Sequence, residues 1–130
     1  MRGIDGGALG AWSLRLDAIY CVLLGAAVAL GAGPIAEAVG IPGVLVSTAG
    51  LMVVLWAGLV LWMLAKLRIR TALRVVMRAN VLAALLVALC AVAAGTLLVV
   101  VAVLSVAVDV AAFAVSQALA LRTLPGPQSA

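Results

Sequence analysis

The chain contains four apolar runs, each about as long as a bilayer is thick, at about residues 14–33, 44–64, 75–94 and 97–121. A hydrocarbon core ~30 Å thick takes ~20 apolar residues to cross as a helix. Hydrocarbon offers no partner for a backbone N–H or C=O, so each run has to satisfy its own groups as a helix. None alternates with period 2, which excludes a β-barrel. The expected fold is therefore all-α: one polytopic domain of four transmembrane helices, arranged as an up-down bundle of two hairpins. Short cytoplasmic tails are expected at 1–12 and 123–130. Only 9% of the 130 residues are charged and 68% are hydrophobic, whereas a soluble domain carries about 25% charged residues. So little polar surface cannot cover a globule in water, and no stretch is left over for an extramembrane domain.

Three short stretches connect the runs: EAVGIPG (37–43), KLRIRTALR (66–74) and AAGT (93–96). GAGP (31–34) weakens the outer end of the first span, and Pro42 suits a helix start, where its missing N–H is not needed. The basic residues set the orientation. Arg2 and Arg15 precede the first span, Lys66, Arg68, Arg70, Arg74 and Arg78 surround the second connection, and Arg122 follows the fourth span. All eight fall on one side. By the positive-inside rule both termini and the central loop are cytoplasmic. The net charge of +4 is thus the signature of a membrane's cytoplasmic face, not of nucleic-acid binding. A cleaved signal peptide, with Ala36-Glu37-Ala38 as its small-x-small site, is the competing reading of the first run. Asp5 and Asp17 before or within that run speak against it.

One carboxylate, Asp109, stands deep in the fourth span. With the last two helices turning at Gly95, Asp109 and Asn80 lie at nearly equal distances from the turn. At ~1.5 Å rise per residue, Asp109 sits about 21 Å from it, in the inner half of the core. Ser105, Asp109 and Ser116 share one helix face, a narrow polar seam that Ala112 continues. An ionised carboxylate in hydrocarbon costs ~3 kcal/mol on insertion scales. Asp109 is therefore expected to face the bundle, either protonated and hydrogen-bonded to Asn80 or a serine, or ionised and paired with Arg78. Asp17, next to Arg15, is read as marking the inner end of the first span, with Lys66 within reach if the first two helices pair.

Two helix faces carry small residues: Cys21, Gly25 and Ala29 in the first span, Ser47 and Gly50 in the second. Small residues let membrane helices approach closely, which is how they associate when lipid and neighbour are equally apolar. Lys66, Arg70, Arg74 and Arg78 recur every four residues. If one helix runs through them they form a stripe that, with Arg68, would gather anionic headgroups at ~1 kcal/mol each or dock an acidic partner. Trp12 and Trp62 suit the inner aromatic belt. Cys21 and Cys90 lie at depths too different for a disulfide, which holds alpha carbons within ~7 Å. There is no histidine, CxxC pair, phosphate loop or acidic cluster, so no metal, cofactor or enzyme activity is expected.

At LRLDA (14–18), GAGP, the Arg-rich central turn with Asn80, and FAVSQALALR (113–122), the chain resembles small uncharacterised bacterial four-helix membrane proteins. In outline it is also similar to DoxX-like proteins, four-helix proteins often linked to quinone or thiol redox systems, although no residue motif carries that activity over. Small multidrug-resistance exporters of this size use a glutamate in the middle of their first helix. Here the corresponding residues, around Leu24 to Val28, include no acid. The resemblance implies a multi-pass protein of the bacterial inner membrane. The expected function is an accessory or assembly subunit that binds other membrane helices, within the lipid bilayer, or forms a homo-oligomer. The alternative is a small oligomeric transporter in which Asp109 takes and releases a proton.

Overall fold

The computed structural model describes residues 5–125; positions 1–4 and 126–130, with Arg2 and most of the expected C-terminal tail, lie outside the described residues. The described residues form five helices and no strand: α1 (Gly6–Leu30), α2 (Ala32–Val39), α3 (Gly43–Lys66), α4 (Ile69–Val92) and α5 (Leu97–Thr123). The four long helices are each apolar enough to cross a membrane, whereas α2, of eight residues, is not long enough.

Helix ends follow local chemistry. α1 begins at Gly6, eight residues before the expected span, because the Asp5 side chain accepts a hydrogen bond from the Gly7 amide (2.9 Å) and caps the helix. The glycines of this first turn-and-a-half are sites of close approach. A Cβ on Gly6 would come within 2.6 Å of the Thr123 hydroxyl, and one on Gly10 within 2.7 Å of Leu73. α1 ends at Gly31, and α2 (Ala32–Val39) then runs from the outer end of the expected span into the expected connection, until Gly40 stops it with a φ of 70°. Thr96 caps α5 through its side-chain oxygen and the Val99 amide (3.3 Å).

α1 packs chiefly on α3 and α4 chiefly on α5, and α1 also runs along α5. α3 and α4, although consecutive, touch little. The α1–α3 seam is backbone against backbone. A Cβ on Gly25 would lie 2.6 Å from the Gly50 carbonyl oxygen, and one on Gly50 would lie 2.6 Å from both the Gly25 carbonyl oxygen and the Ala29 amide nitrogen. Such contact gains dispersion energy that no larger residue permits. The core sits at the end of the bundle shared by the start of α1 and α4 and the finish of α3 and α5. There Leu14, Ala18, Val60, Leu73, Val76 and Ala120 are buried together. Towards the other end the helices turn large apolar side chains outward, among them Leu30, Leu55, Leu85, Leu89 and Leu98. In water such a surface would aggregate, but in a bilayer it is ordinary solvation.

Replacing Gly50 by leucine should pry α1 from α3. Overpacking of this kind costs ~1–3 kcal/mol, read as a lower thermal midpoint in detergent by circular dichroism. Gly58→Leu is the control, since nothing lies within 4 Å of a Cβ at that position, and its midpoint should not move.

Candidate functional site

The polar residues of the spans meet around Asp17, not Asp109. Asp17, Asn80 and Gln117 are 2%, 4% and 0% exposed, and they come from α1, α4 and α5. Asn80 Nδ2 donates to Asp17 Oδ2 at 2.6 Å, and Gln117 Nε2 donates to the same oxygen at 2.9 Å. Asn80 Nδ2 also donates to Gln117 Oε1 at 3.2 Å, and the Cys21 thiol donates to Asp17 Oδ1 at 3.6 Å. Every one of these contacts to Asp17 is a donor to it, the pattern of a carboxylate acting as acceptor only. Among the described residues no buried side-chain polar atom lacks a partner. Three interhelical or local donors at ~0.6–1.7 kcal/mol each roughly offset the ~3 kcal/mol cost of an intramembrane carboxylate. The network therefore adds little net stability. Its effect is to specify which faces of α1, α4 and α5 meet.

The seam expected between Asn80 and Asp109 does not form. The cause lies in helix geometry. Cα–Cβ bonds tilt towards a helix's own N-terminus. On α4 that direction points away from the Gly95 turn, and on α5 it points towards it. Side chains at equal depth on this antiparallel pair therefore diverge. Gln117, lying further from the turn, leans back to meet Asn80. Asp109 instead sits exposed near the middle of α5, where its Oδ2 accepts the Tyr20 hydroxyl at 3.0 Å. The Tyr20 and Phe113 rings pack beside it with centroids 5.5 Å apart. Arg78 is exposed on α4 and does not pair with Asp109 among the described residues.

The remaining site residues are dispersed. Ser116 shares a 2.6 Å hydrogen bond with Ser13 of α1, whereas Ser105 turns back on its own helix to the Val101 carbonyl. Of the small-residue faces, Gly25, Ala29 and Gly50 meet at the α1–α3 seam. Cys21 joins the Asp17 network, and Ser47 is half-buried near the start of α3. The basic stripe is broken, because α3 ends at Lys66 and α4 starts at Ile69. Arg68 is the N-cap of α4, Arg74 is exposed, and Arg70 donates to the Pro125 carbonyl, tying the end of α5 to the start of α4. Asp17 does not pair with Lys66. Both cysteines are free, Cys21 buried and Cys90 exposed.

Gln117 is the residue that sequence reasoning missed. A census of every acid and carboxamide inside the four runs yields Asp17, Asn80, Asp109 and Gln117, and that census would have found it. Above the network lies a cleft of about 340 Å³ between the two helix pairs. Residues of all four long helices line it, including Asn80, Cys21, Trp56 and Val106, but Asp109 does not. Asp109 instead borders two hollows on the outer face of α5, of about 460 and 390 Å³. No protein-family model, curated protein or solved structure matches this chain.

Asn80→Ala should cost ~1.5–3 kcal/mol, since it leaves a buried carboxylate short of a donor. In a double-mutant cycle with Asp17→Leu the two losses should be non-additive by 0.5 kcal/mol or more, roughly the lower bound for residues in one network. Additive losses in thermal or denaturant unfolding in detergent would remove the network from the account of the fold.

Proposed function

We propose that the chain is a small, non-enzymatic accessory or assembly subunit of a bacterial inner membrane, binding another membrane helix through the outer face of α1 and α5. The observation that carries this reading is the exposure of Asp109 among apolar neighbours near the middle of a membrane-length helix. A carboxylate facing lipid there costs ~3 kcal/mol or more. Among the described residues it receives one phenol hydrogen bond and no cation. A lateral partner that covers it removes most of that cost. The competing reading, a small proton-coupled transporter, needs a path that includes the titrating acid. The cleft lined by all four long helices excludes Asp109, which favours assembly over transport.

In this reading the helices run up and down as two hairpins, α1 with α3 and α4 with α5, with both termini and the Arg-rich connection in the cytoplasm. The basic residues at one end of the bundle support that orientation. Their role is to hold the inner boundary against anionic headgroups.

Two measurements test these points. Protein expressed at native level and purified in mild detergent should co-elute with a stoichiometric membrane protein, identified by mass spectrometry, and Asp109→Leu should abolish the association while leaving the helical content intact. A chain that elutes alone, with or without Asp109, defeats the proposal. For orientation, a cysteine at Gly95 in a Cys90→Ala background should react with an impermeant maleimide on intact cells, whereas one at Arg68 should react only after permeabilisation. The reverse pattern would invert the topology.

A further inference from the structure

The geometry points to a specific partner chemistry for this surface: a transmembrane helix of a different protein, carrying one lysine or arginine at mid-span, which lies along the outer face of α5 and donates to Asp109. This inference rests on the accessory-subunit reading and narrows it. Three observations carry it. First, Asp109 is already oriented. The Tyr20 hydroxyl occupies Oδ2, and among the described residues no donor reaches Oδ1, so one acceptor oxygen is held out at a fixed place. Second, the two hollows on this face share Asp109. One is walled by Trp12, Tyr20, Phe113 and Ser116, the other by Val101, Leu104 and Ser105. The face beside the carboxylate therefore combines large apolar walls with recesses, a shape that admits the ridge of a neighbouring helix. Third, charge complementarity names the occupant. Within hydrocarbon an acid that cannot reach the interface is matched by a base or a strong donor at its own depth.

The described residues of a second copy do not supply that base. The cations of the described residues are Arg15 in the first half of α1, Lys66 at the end of α3, Arg68, Arg70, Arg74 and Arg78 at or after the start of α4, and Arg122 at the end of α5. All lie towards one end of the bundle. Arg78 is the deepest of them. Its Cα–Cβ bond tilts towards the start of α4, away from the Gly95 turn, while that of Asp109 tilts towards it. A copy in the same orientation thus leaves the two charges at different depths, and the cation has to come from another protein. An arginine or lysine at mid-span would itself be costly alone, so each helix conceals the other's charge, and the pairing is specific for that reason as much as for shape.

The test places the full chain in phosphatidylcholine vesicles with synthetic leucine-alanine transmembrane peptides, and reads association by energy transfer. One peptide carries a single mid-span lysine and its control carries leucine at that position. The lysine peptide should bind at least tenfold more tightly than the control. Asp109→Asn should remove that advantage, Tyr20→Phe should reduce it, and Asp109→Lys should transfer the preference to a peptide with a mid-span aspartate. Helical content and thermal midpoint of each variant establish that the fold is retained. Equal binding of the two peptides, or an advantage that survives Asp109→Asn, overturns the cation pairing and leaves the accessory reading standing. Binding of neither peptide, together with a chain that purifies alone, overturns both. Self-association that Asp109→Leu abolishes would assign the face to a second copy and likewise overturn the inference.

Discussion

The arrangement of this bundle depends on a buried carboxylate that receives every one of its hydrogen bonds from other side chains. Asp17 collects donors from Asn80 on α4 and Gln117 on α5 as well as from Cys21 on its own helix. Apolar packing alone leaves helices in lipid nearly indifferent to rotation, because a leucine against leucine and a leucine against an acyl chain are similar contacts. A single acceptor shared by two carboxamides is satisfied only when three helices present particular faces at particular depths. The neighbouring contacts agree with that register: Ser13 with Ser116 on one side, Tyr20 with Asp109 on the other.

Around that point α1 meets its two neighbours by different means. The α1–α3 pair relies on glycine, with Gly25 and Gly50 bringing backbones together. The α1–α5 contact relies on polar rungs spaced along α1. The lower end of the bundle, with the core and the network, is closed. The upper end turns leucines outward and leaves a cleft between the pairs. The buried core thus lies at the end of the bundle that carries the basic residues, among them Arg15, its guanidinium 6.0 Å from the Trp12 ring.

The two intramembrane acids have opposite circumstances, and the proposed function follows from the difference. Asp17 is enclosed, multiply bonded and inaccessible, which suits a structural role. Asp109 is exposed and singly bonded, with apolar hollows on both sides. A group that the fold itself does not satisfy marks where something else belongs. The accessory-subunit reading uses that one unsatisfied position and asks no chemistry of the rest of the chain.

Much of this was legible in the sequence. Four apolar runs dictate four long helices, because hydrocarbon forces each run to bond its own backbone. The glycine and small-residue positions at Gly25, Ala29 and Gly50 were readable from their spacing. The short helix α2 and the early start of α1 were not, since both depend on local caps, and α1 also on the close contacts that Gly6 and Gly10 make with Thr123 and Leu73, both distant in sequence. The partners of the acids were not readable either. Distance from a turn gives the depth of an alpha carbon, but not the direction in which its side chain leans or the face it turns to its neighbours. By itself the sequence determined the membrane-length helices and the polar residues they carry. Only the tertiary structure decided that Asn80 meets Asp17 and Gln117 while Asp109 is left outside, because antiparallel helices tilt their side chains in opposite directions.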